Sequence, residues 1–448
     1  DGFQSRFDPE DENIIYSMSQ DGAISRLDKC TGISVGIQPT VAEGAPQPRW
    51  HWDTPFIISP YSPERLFMAG NRLYRSDDRG DHWQAVSDDL TRQLDPDKQV
   101  VMGGIWGNDA VQKNRFTSSL SVSSALAESP LKEGLLYVGT DDGLVQVSED
   151  GGGHWRRIER FPGVPEQAYV AAVCASQHDA DLLYVAFNNY QRGDFKPYLL
   201  RSQDRGRTWT SIASNLPDRH VVWSIVEDHG NSDLLFAGTE FGLFFTVDSG
   251  RHWIQLKSGA PTIPFRDLAI QRREDDLVAA TFGRGFYVLD DYSALRCLTP
   301  EALAEEASLF PPRAAHAYNE LGYVVAAFGN VTTTNPPVGA TLSYYLREGF
   351  TQDDNHKLVL VVKDAQGKPV KQITGATTPG LHRVPWDLRR SPQSASDTGS
   401  ESRGGRSGRR RQSGPLVEPG KYTITLTKIV DGKETTLGET QTLRVKPL

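Results

Sequence analysis

The chain contains 448 residues with a formal net charge of -9; 38% of them are hydrophobic and 23% are charged. This length allows two or three domains, or one large repeat domain and a small one, with a packed core. The acidic balance disfavours a general nucleic-acid binder, which usually carries a basic surface, and leaves proteins, glycans and small ligands as partners.

One motif, Ser/Thr-x-Asp-x-Gly-x-x-Trp, recurs four times along the chain. Its Asp side chain can accept backbone N–H groups in a tight hairpin, and its Gly permits a positive φ. Its Trp can bury a large ring between neighbouring sheets. These residues are therefore predicted to be structural. The copies contain Asp78, Gly80 and Trp83; Asp150, Gly152 and Trp155; Asp204, Gly206 and Trp209; and Asp248, Gly250 and Trp253.

Each copy has the same flanks: a β-rich run, a turn and a second run precede it, and another short apolar segment follows. This order predicts one four-stranded antiparallel sheet per repeat, and sheets in tandem predict an all-β propeller. A degraded copy at Ser25 to Asp28, with Gly32, adds an earlier blade. The six predicted blades cover 2–38, 54–87, 117–158, 168–213, 221–256 and 265–289, the last with a final strand near 308–310.

With these motifs, Asn71-Arg72-Leu73-Tyr74-Arg75-Ser76 and the segment from Phe282 to Asp291, the chain resembles the Asp-box (BNR-repeat) propeller superfamily. That superfamily includes sialidases, xyloglucanase-type glycosidases and sortilin-type receptors. The chain looks most similar to bacterial BNR-repeat proteins, often labelled glycosyl-hydrolase-like, with sortilin-like propellers. The resemblance covers about residues 1–312 and implies a fold rather than a function, because one fold hosts many functions.

Relatives of this kind usually have seven blades, so the resemblance implies that another chain or an upstream segment completes the ring. A genuine six-bladed ring is the alternative. The chain begins at Asp1 rather than Met, and its start is interpreted as a processed or truncated end.

A linker is predicted over 298–315, between a propeller at 1–297 and a second domain at 316–448. Thr299-Pro300 begins a short helix and Pro311-Pro312 stiffens the exit. Five later β-rich runs predict a β-sandwich of immunoglobulin-like type, which resembles domains of flagellar hook-capping proteins and secretion-sorting regions. Residues 391–415, rich in Ser, Gly and Arg, are predicted to form a flexible loop within it.

Propeller topology gathers the crossovers between blades, and the turns between second and third strands, at one end of the ring. The motifs lie at the other end. The end that carries the crossovers therefore contains aromatic, charged and imidazole side chains, a combination typical of sugar or peptide recognition. The predicted ligand-binding residues are Trp52, His51, Trp106, Arg115, Asp142, Tyr190, Trp223 and Arg284. A structural role for each single residue remains the competing interpretation: Trp52 and Trp223, like Trp50 on the same end, could instead fill the space between blades.

Three functions stay open. The leading one is a secreted or cell-surface binding and scaffold protein that recognises a protein or glycan, at an extracellular, periplasmic or cell-surface location in bacteria. The second is a glycoside hydrolase with paired carboxylates drawn from Asp53, Asp141 and Glu240, although no local motif marks an acid and a base. The third is a structural subunit of a larger extracellular assembly.

Several kinds of site find no support in the sequence. The Arg-Ile-Pro element of sialidases does not occur. Cys30, Cys174 and Cys297 are far apart and lack metal-ligand spacing, so no metal, cofactor or disulfide framework is predicted. No apolar stretch reaches the length of a membrane span.

Overall fold

A computed structural model describes residues 2–100, 103–107, 109–110, 119–318, 336–392 and 414–447. The chain divides into two compact units, 1–289 and 290–448. Both are built from β-sheets, so the prediction of an all-β fold is confirmed. Among the described helices, none is long and apolar enough to cross a bilayer.

The first unit opens with five four-stranded sheets, each an antiparallel meander in which neighbours in sequence are neighbours in space. This repeated order is that of propeller blades. The strands of blades 1 to 3 are β1 Ser5–Phe7, β2 Ile14–Met18, β3 Ile24–Asp28 and β4 Ser34–Gly36; β5 Phe56–Ile58, β6 Leu66–Ala69, β7 Leu73–Ser76 and β8 Gln84–Ala85; and β9 Ser123–Glu128, β10 Leu136–Thr140, β11 Val145–Ser148 and β12 Arg156–Ile158. Those of blades 4 and 5 are β13 Tyr169–Ala175, β14 Leu183–Asn189, β15 Asp194–Ser202 and β16 Thr210–Ser211; and β17 Val222–Glu227, β18 Leu235–Thr239, β19 Gly242–Thr246 and β20 Ile254–Leu256.

Blade 6 differs from the others because its described sheet has three strands: β21 Phe265–Gln271, β22 Asp276–Thr281 and β23 Phe286–Leu289. A fourth strand of blade 6 was predicted near 308–310, and this prediction was wrong. That segment forms β24, Ala307–Leu309, which pairs with a strand of the second unit. Its apolar alternation fits either sheet, and pairing register cannot be read from so short a run.

Successive blades pack face to face through shared apolar clusters, and this packing gives the first unit its core. Each cluster takes one row of side chains from each of two neighbouring sheets. Blade 6 continues the series, since β21 lies against β17 and β18. Representative pairs are Tyr16 with Phe56 between blades 1 and 2, Leu73 with Val138 between 2 and 3, Tyr137 with Phe187 between 3 and 4, and Tyr184 with Phe244 between 4 and 5.

The repeated motif closes the hairpin between the third and fourth strands. In blade 2, the Ser76 hydroxyl donates to Asp78 at 2.8 Å and accepts from the Gly80 amide at 2.8 Å. The Asp78 carboxylate also accepts from the His82 amide at 2.8 Å. Gly80 has a φ of 93°, a conformation that favours glycine. The Ser76 hydroxyl and the Asp78 carboxylate therefore each accept a hydrogen bond from a different main-chain N–H group of the turn.

The motif tryptophans fill the junction with the preceding blade. Trp83, Trp155 and Trp253 each donate the indole N–H to a main-chain oxygen of that blade, at 2.7, 3.3 and 2.7 Å. The acceptors are the carbonyls of Ile37, Val86 and Ile212. Trp209 lacks such a bond within the described residues and packs against Phe161. Hence the motif joins blades as well as closing its own turn.

The second unit is a two-layer sandwich. Its short helix α1, Pro300–Ala304, begins at Thr299, whose hydroxyl accepts from the Ala302 amide at 3.2 Å. The two sheets share one apolar cluster. In chain order the strands are β24, β25 Ala315–Ala317, β26 Ala340–Leu346, β27 His356–Lys363, β28 Pro369–Gly375, β29 Gly380–Trp386, β30 Gly420–Val430 and β31 Lys433–Pro447. One sheet has the order β24-β26-β29 and the other β25-β31-β30-β27-β28. Most of the loop predicted at 391–415 lies outside the described residues.

Candidate functional site

The connection face is the end of the first unit that carries the starts of the first strands and the turns between second and third strands. The antiparallel order places these segments opposite the motif turns in every blade. Side chains that precede β5 or begin β13, β17 and β21 therefore lie on the same end as the turns after β10, β14, β18 and β22.

An extra residue near the start of the first strand occurs in blades 3, 4, 5 and 6. The pairing registers skip Ser124, Ala171, Trp223 and Arg266, in that order. Such β-bulges bend a strand and redirect a side chain, and they are common beside functional sites. The Ser124 hydroxyl donates to the Val170 carbonyl of the next blade at 2.8 Å, while Trp223 and Arg266 contact each other between blades 5 and 6.

Arg266 lies on the indole of Trp223, with its guanidinium carbon 3.5 Å from the ring centroid. Phe282 adds a second ring at 5.2 Å. Tyr190 meets Trp223 edge-on with centroids 5.3 Å apart, and Trp223 donates its indole N–H to Glu240 at 2.9 Å. Burial lowers the pKa of Arg266, and the Glu240 carboxylate opposes that effect. The stack therefore fixes the plane of a cation on this face.

A second group forms around Tyr169 at the start of β13. Its hydroxyl oxygen lies 3.1 Å from Nε2 of His51, which precedes β5. Burial raises the pKa of Tyr169 and lowers that of His51, so both side chains are neutral near pH 7. This pair joins the entry to blade 2 with blade 4 through two groups that can exchange hydrogen bonds with a ligand.

Three carboxyl groups accompany the Tyr169 pair. Burial raises the pKa of Asp53 to about 6, and the charge of Asp267 adds to that shift. Burial likewise raises the pKa of Asp141 to about 7 and the pKa of Asp267. Asp53 and Asp267 are exposed, and partial desolvation by neighbouring protein atoms raises the pKa values of their carboxyl groups.

The members of these groups influence one another's pKa values through their charges. Tyr169 and Tyr190 affect the pKa of Arg266. Asp141 and Asp53 affect the pKa of Tyr169, and Asp267 affects the pKa of Asp53. Of the residues selected from the sequence, the structure brings together His51, Asp53, Asp141, Tyr190, Trp223 and Glu240. We call this set, with Tyr169, Arg266 and Asp267, the connection-face cluster.

Asp142 requires a correction. The residue is buried, and its carboxylate accepts from the Thr140 hydroxyl at 2.6 Å and from the Arg92 amide at 2.8 Å. It therefore holds the turn after β10 and cannot reach a ligand. One face of the ring of Trp223, another predicted ligand-binding residue, is covered by Arg266.

Other selected residues lie outside the cluster. Trp50 packs on Tyr74 at 5.3 Å between blades 1 and 2, and Trp52 meets Phe3 edge-on at 6.4 Å. Arg284 is exposed in the turn after β22, and Trp106 is 52% exposed before blade 3. Arg115 lies outside the described residues.

Tyr169, Arg266 and Asp267 were not selected from the sequence. Each follows the crossover into its blade, a position that aligning the starts of the first strands would have exposed. No group of three His, Cys, Asp or Glu in the described ranges is arranged to hold a metal ion.

Comparisons with known proteins concern the fold. No family model and no curated protein sequence matches this chain. Among solved structures, it is similar to the extracellular domain of the hybrid two component system BT3049 from B. thetaiotaomicron, at 11% identity and a TM-score of 0.44 over 100% of this chain and 50% of that one. A GH74 enzyme from Niastella koreensis is 14% identical, with a TM-score of 0.47 over 97% of this chain and 65% of that chain. YCF48 from Cyanidioschyzon merolae is 14% identical, with a TM-score of 0.40 over 70% and 89%. This chain thus spans half of the BT3049 domain and just under two thirds of the GH74 enzyme.

Proposed function

We propose that this chain is a secreted or cell-surface binding and scaffold protein that holds a protein or glycan on the connection face. One observation carries the proposal: side chains from blades 2 to 6 converge there although they are far apart in sequence. Aromatic rings, neutral hydrogen-bonding groups and fixed charges on one face are the usual features of a binding site. The second unit, a sandwich of immunoglobulin-like type in this proposal, would orient the propeller.

Charge reversal on the connection face tests this proposal. Asp53→Lys and Asp267→Lys change exposed carboxyl groups of the cluster, and Glu10→Lys changes an exposed carboxyl group in the turn between β1 and β2, on the motif end. On peptide and glycan arrays, we expect the two cluster variants to lose bound ligands by roughly tenfold or more. Glu10→Lys should retain the wild-type pattern. Identical patterns for all three variants would remove the connection face as the binding site.

A glycoside hydrolase is the second candidate, and the charge of Asp267, which helps to raise the pKa of Asp53, favours it. Glycosidases need one protonated and one ionised carboxyl group across the scissile bond, and two interacting carboxyl groups with raised pKa values can divide those roles. Glu240 fits less well because Trp223 already donates to it. We expect Asp53→Asn and Asp267→Asn each to abolish release of reducing ends from β-glucans if this candidate is right. Absence of release by the wild-type chain across a panel of polysaccharides would eliminate it.

The third candidate function, a structural subunit of a larger assembly, is supported by features of blade 6. Phe286 and Val288, on one face of β23, are 75% and 51% exposed, and Phe7 on blade 1 is 61% exposed. Each of the other blades has a fourth strand on its third, whereas β23 has none among the described residues. We propose that further polypeptide, from another chain or another segment, covers β23 and completes the propeller.

Hydrogen exchange tests the open edge of β23. We expect the amides of β23 to exchange faster than those of β19, which is paired on both sides in blade 5. Both strands follow a tight turn and hold the same position in their blades, so β19 is a matched control. Equal protection of the two strands would mean that β23 is already covered.

A further inference from the structure

The guanidinium of Arg266 has unusual surroundings. It is stacked on Trp223 and lies near Phe282, yet its N–H groups have no hydrogen-bond or ion-pair partner among the described residues. By contrast, Arg79 and Arg205 each contact two carboxylates. Glu240, the carboxylate that influences Arg266 most, receives the indole N–H of Trp223 instead.

An arginine held in this way is positioned to bind a carboxylate. Its guanidinium is planar, always charged and carries five donors in a fork that matches two carboxylate oxygens. Stacking on Trp223 fixes the plane without using those donors. Partial burial reduces competition from water, so a bound carboxylate would gain more than at a fully exposed arginine.

The neighbouring charges limit which class of ligand can supply that carboxylate. Glu240 lies near Arg266, Asp53 and Asp141 lie near Tyr169, and Asp267 lies near Asp53. Arg6 lies near Asp53 and Asp267, and Arg49 lies near Asp141, so the carboxyl groups outnumber the arginines in and beside the cluster. A polyuronate would bring many negative charges against these groups. A polypeptide C-terminus brings one carboxylate, and the amides behind it can bond to His51 and Tyr169.

We propose that Arg266 is the carboxylate-binding residue of the connection face and that its ligand is the free C-terminus of a polypeptide. This inference rests on the proposed binding function and specifies its ligand class. Trp223 acts as a positioning residue, because it holds the guanidinium plane and leaves the donors to the ligand.

A peptide library with free C-terminal carboxylates tests the inference beside the same library with C-terminal amides. Amidation removes the charge and one acceptor while leaving the side chains unchanged. We expect the wild-type chain to bind the best carboxylate peptides at least about tenfold more tightly than their amides. Arg266→Gln should abolish that ratio, and Arg266→Lys should lose most of it, since an ammonium cannot form the two parallel bonds.

Arg219→Lys is the matched control. Arg219 is another exposed arginine beside an aromatic ring, 5.9 Å from the Phe195 centroid, and it lies on the crossover before blade 5. This variant should keep the wild-type ratio of carboxylate to amide binding. Circular dichroism of each variant would separate loss of binding from loss of fold.

The possible outcomes distinguish this inference from the proposed function. Peptide binding that is insensitive to amidation or to Arg266→Gln overturns the carboxylate site but leaves a binding face. Binding of oligogalacturonate that depends on Arg266, without peptide binding, overturns the polypeptide assignment. If neither peptides nor glycans bind, the proposed function and this inference both fall.

Discussion

Replacing Trp253 by alanine is expected to lower the free energy of unfolding of the first unit by about 3–5 kcal/mol. The ring is 3% exposed and belongs to the apolar cluster between blades 4 and 5. Its loss leaves a cavity between two sheets and removes the bond from the indole N–H to the Ile212 carbonyl, 2.7 Å long. Urea denaturation followed by far-ultraviolet circular dichroism measures the change.

Phenylalanine substitutions separate the ring from its hydrogen bond. Trp253→Phe leaves the Ile212 carbonyl without its indole donor, whereas Trp209→Phe removes an indole N–H that has no partner among the described residues. We therefore expect Trp253→Phe to be more destabilising than Trp209→Phe by about 1–3 kcal/mol. Equal losses would mean that ring volume alone decides the contribution of the motif tryptophans.

The propeller could be predicted because its information is local. Each motif places a hydroxyl, a carboxylate, a glycine and an indole within eight positions, and the flanking runs alternate with the period of a strand. Because the motif recurs in four copies, a doubtful strand assignment beside one copy can be checked against the other three. The different bonding of Trp209 could not be foreseen, because it depends on which carbonyl of the preceding blade lies opposite the ring.

The end of the ring that carries the cluster was also predictable, since it follows from strand order alone. The identity of its charged members was not. A bulge shifts the alternation of a strand by one residue, so Arg266 and Asp267 cannot be assigned to a face by counting. Likewise Asp141 and Asp142 are neighbours in one turn, yet one is near Tyr169 and the other is buried under Arg92.

The segment near 308–310 illustrates a different limit. Its alternating apolar residues fit a fourth strand of blade 6 as well as a strand of the second unit. The choice depends on the long-range partner, here β26, in which Ser308 pairs with Tyr345. Non-local pairing of this kind carries no signature within the segment itself.

Asp141→Asn is expected to make the stability of the first unit less dependent on pH. Burial raises the pKa of Asp141 from 3.8 to about 7, so the folded chain holds this proton more tightly than the unfolded chain. The resulting stabilisation is complete below pH 4 and is lost as the pH rises through 7. The full shift corresponds to at most about 4 kcal/mol, and partial exposure of the residue reduces this to about 1–3 kcal/mol.

Asparagine cannot ionise, and its carbonyl oxygen can still accept from the Val122 amide, a bond of 2.8 Å to Asp141. We therefore expect Asp141→Asn to match the wild-type chain at pH 4 and to exceed its free energy of unfolding at pH 8. Asp142→Asn is the neighbouring control: its buried carboxylate accepts two hydrogen bonds, so an amide there should destabilise the fold at both pH values. Equal stability of Asp141→Asn and the wild-type chain at pH 8 would mean that Asp141 ionises as readily in the folded chain as in the unfolded chain, and that burial does not raise its pKa.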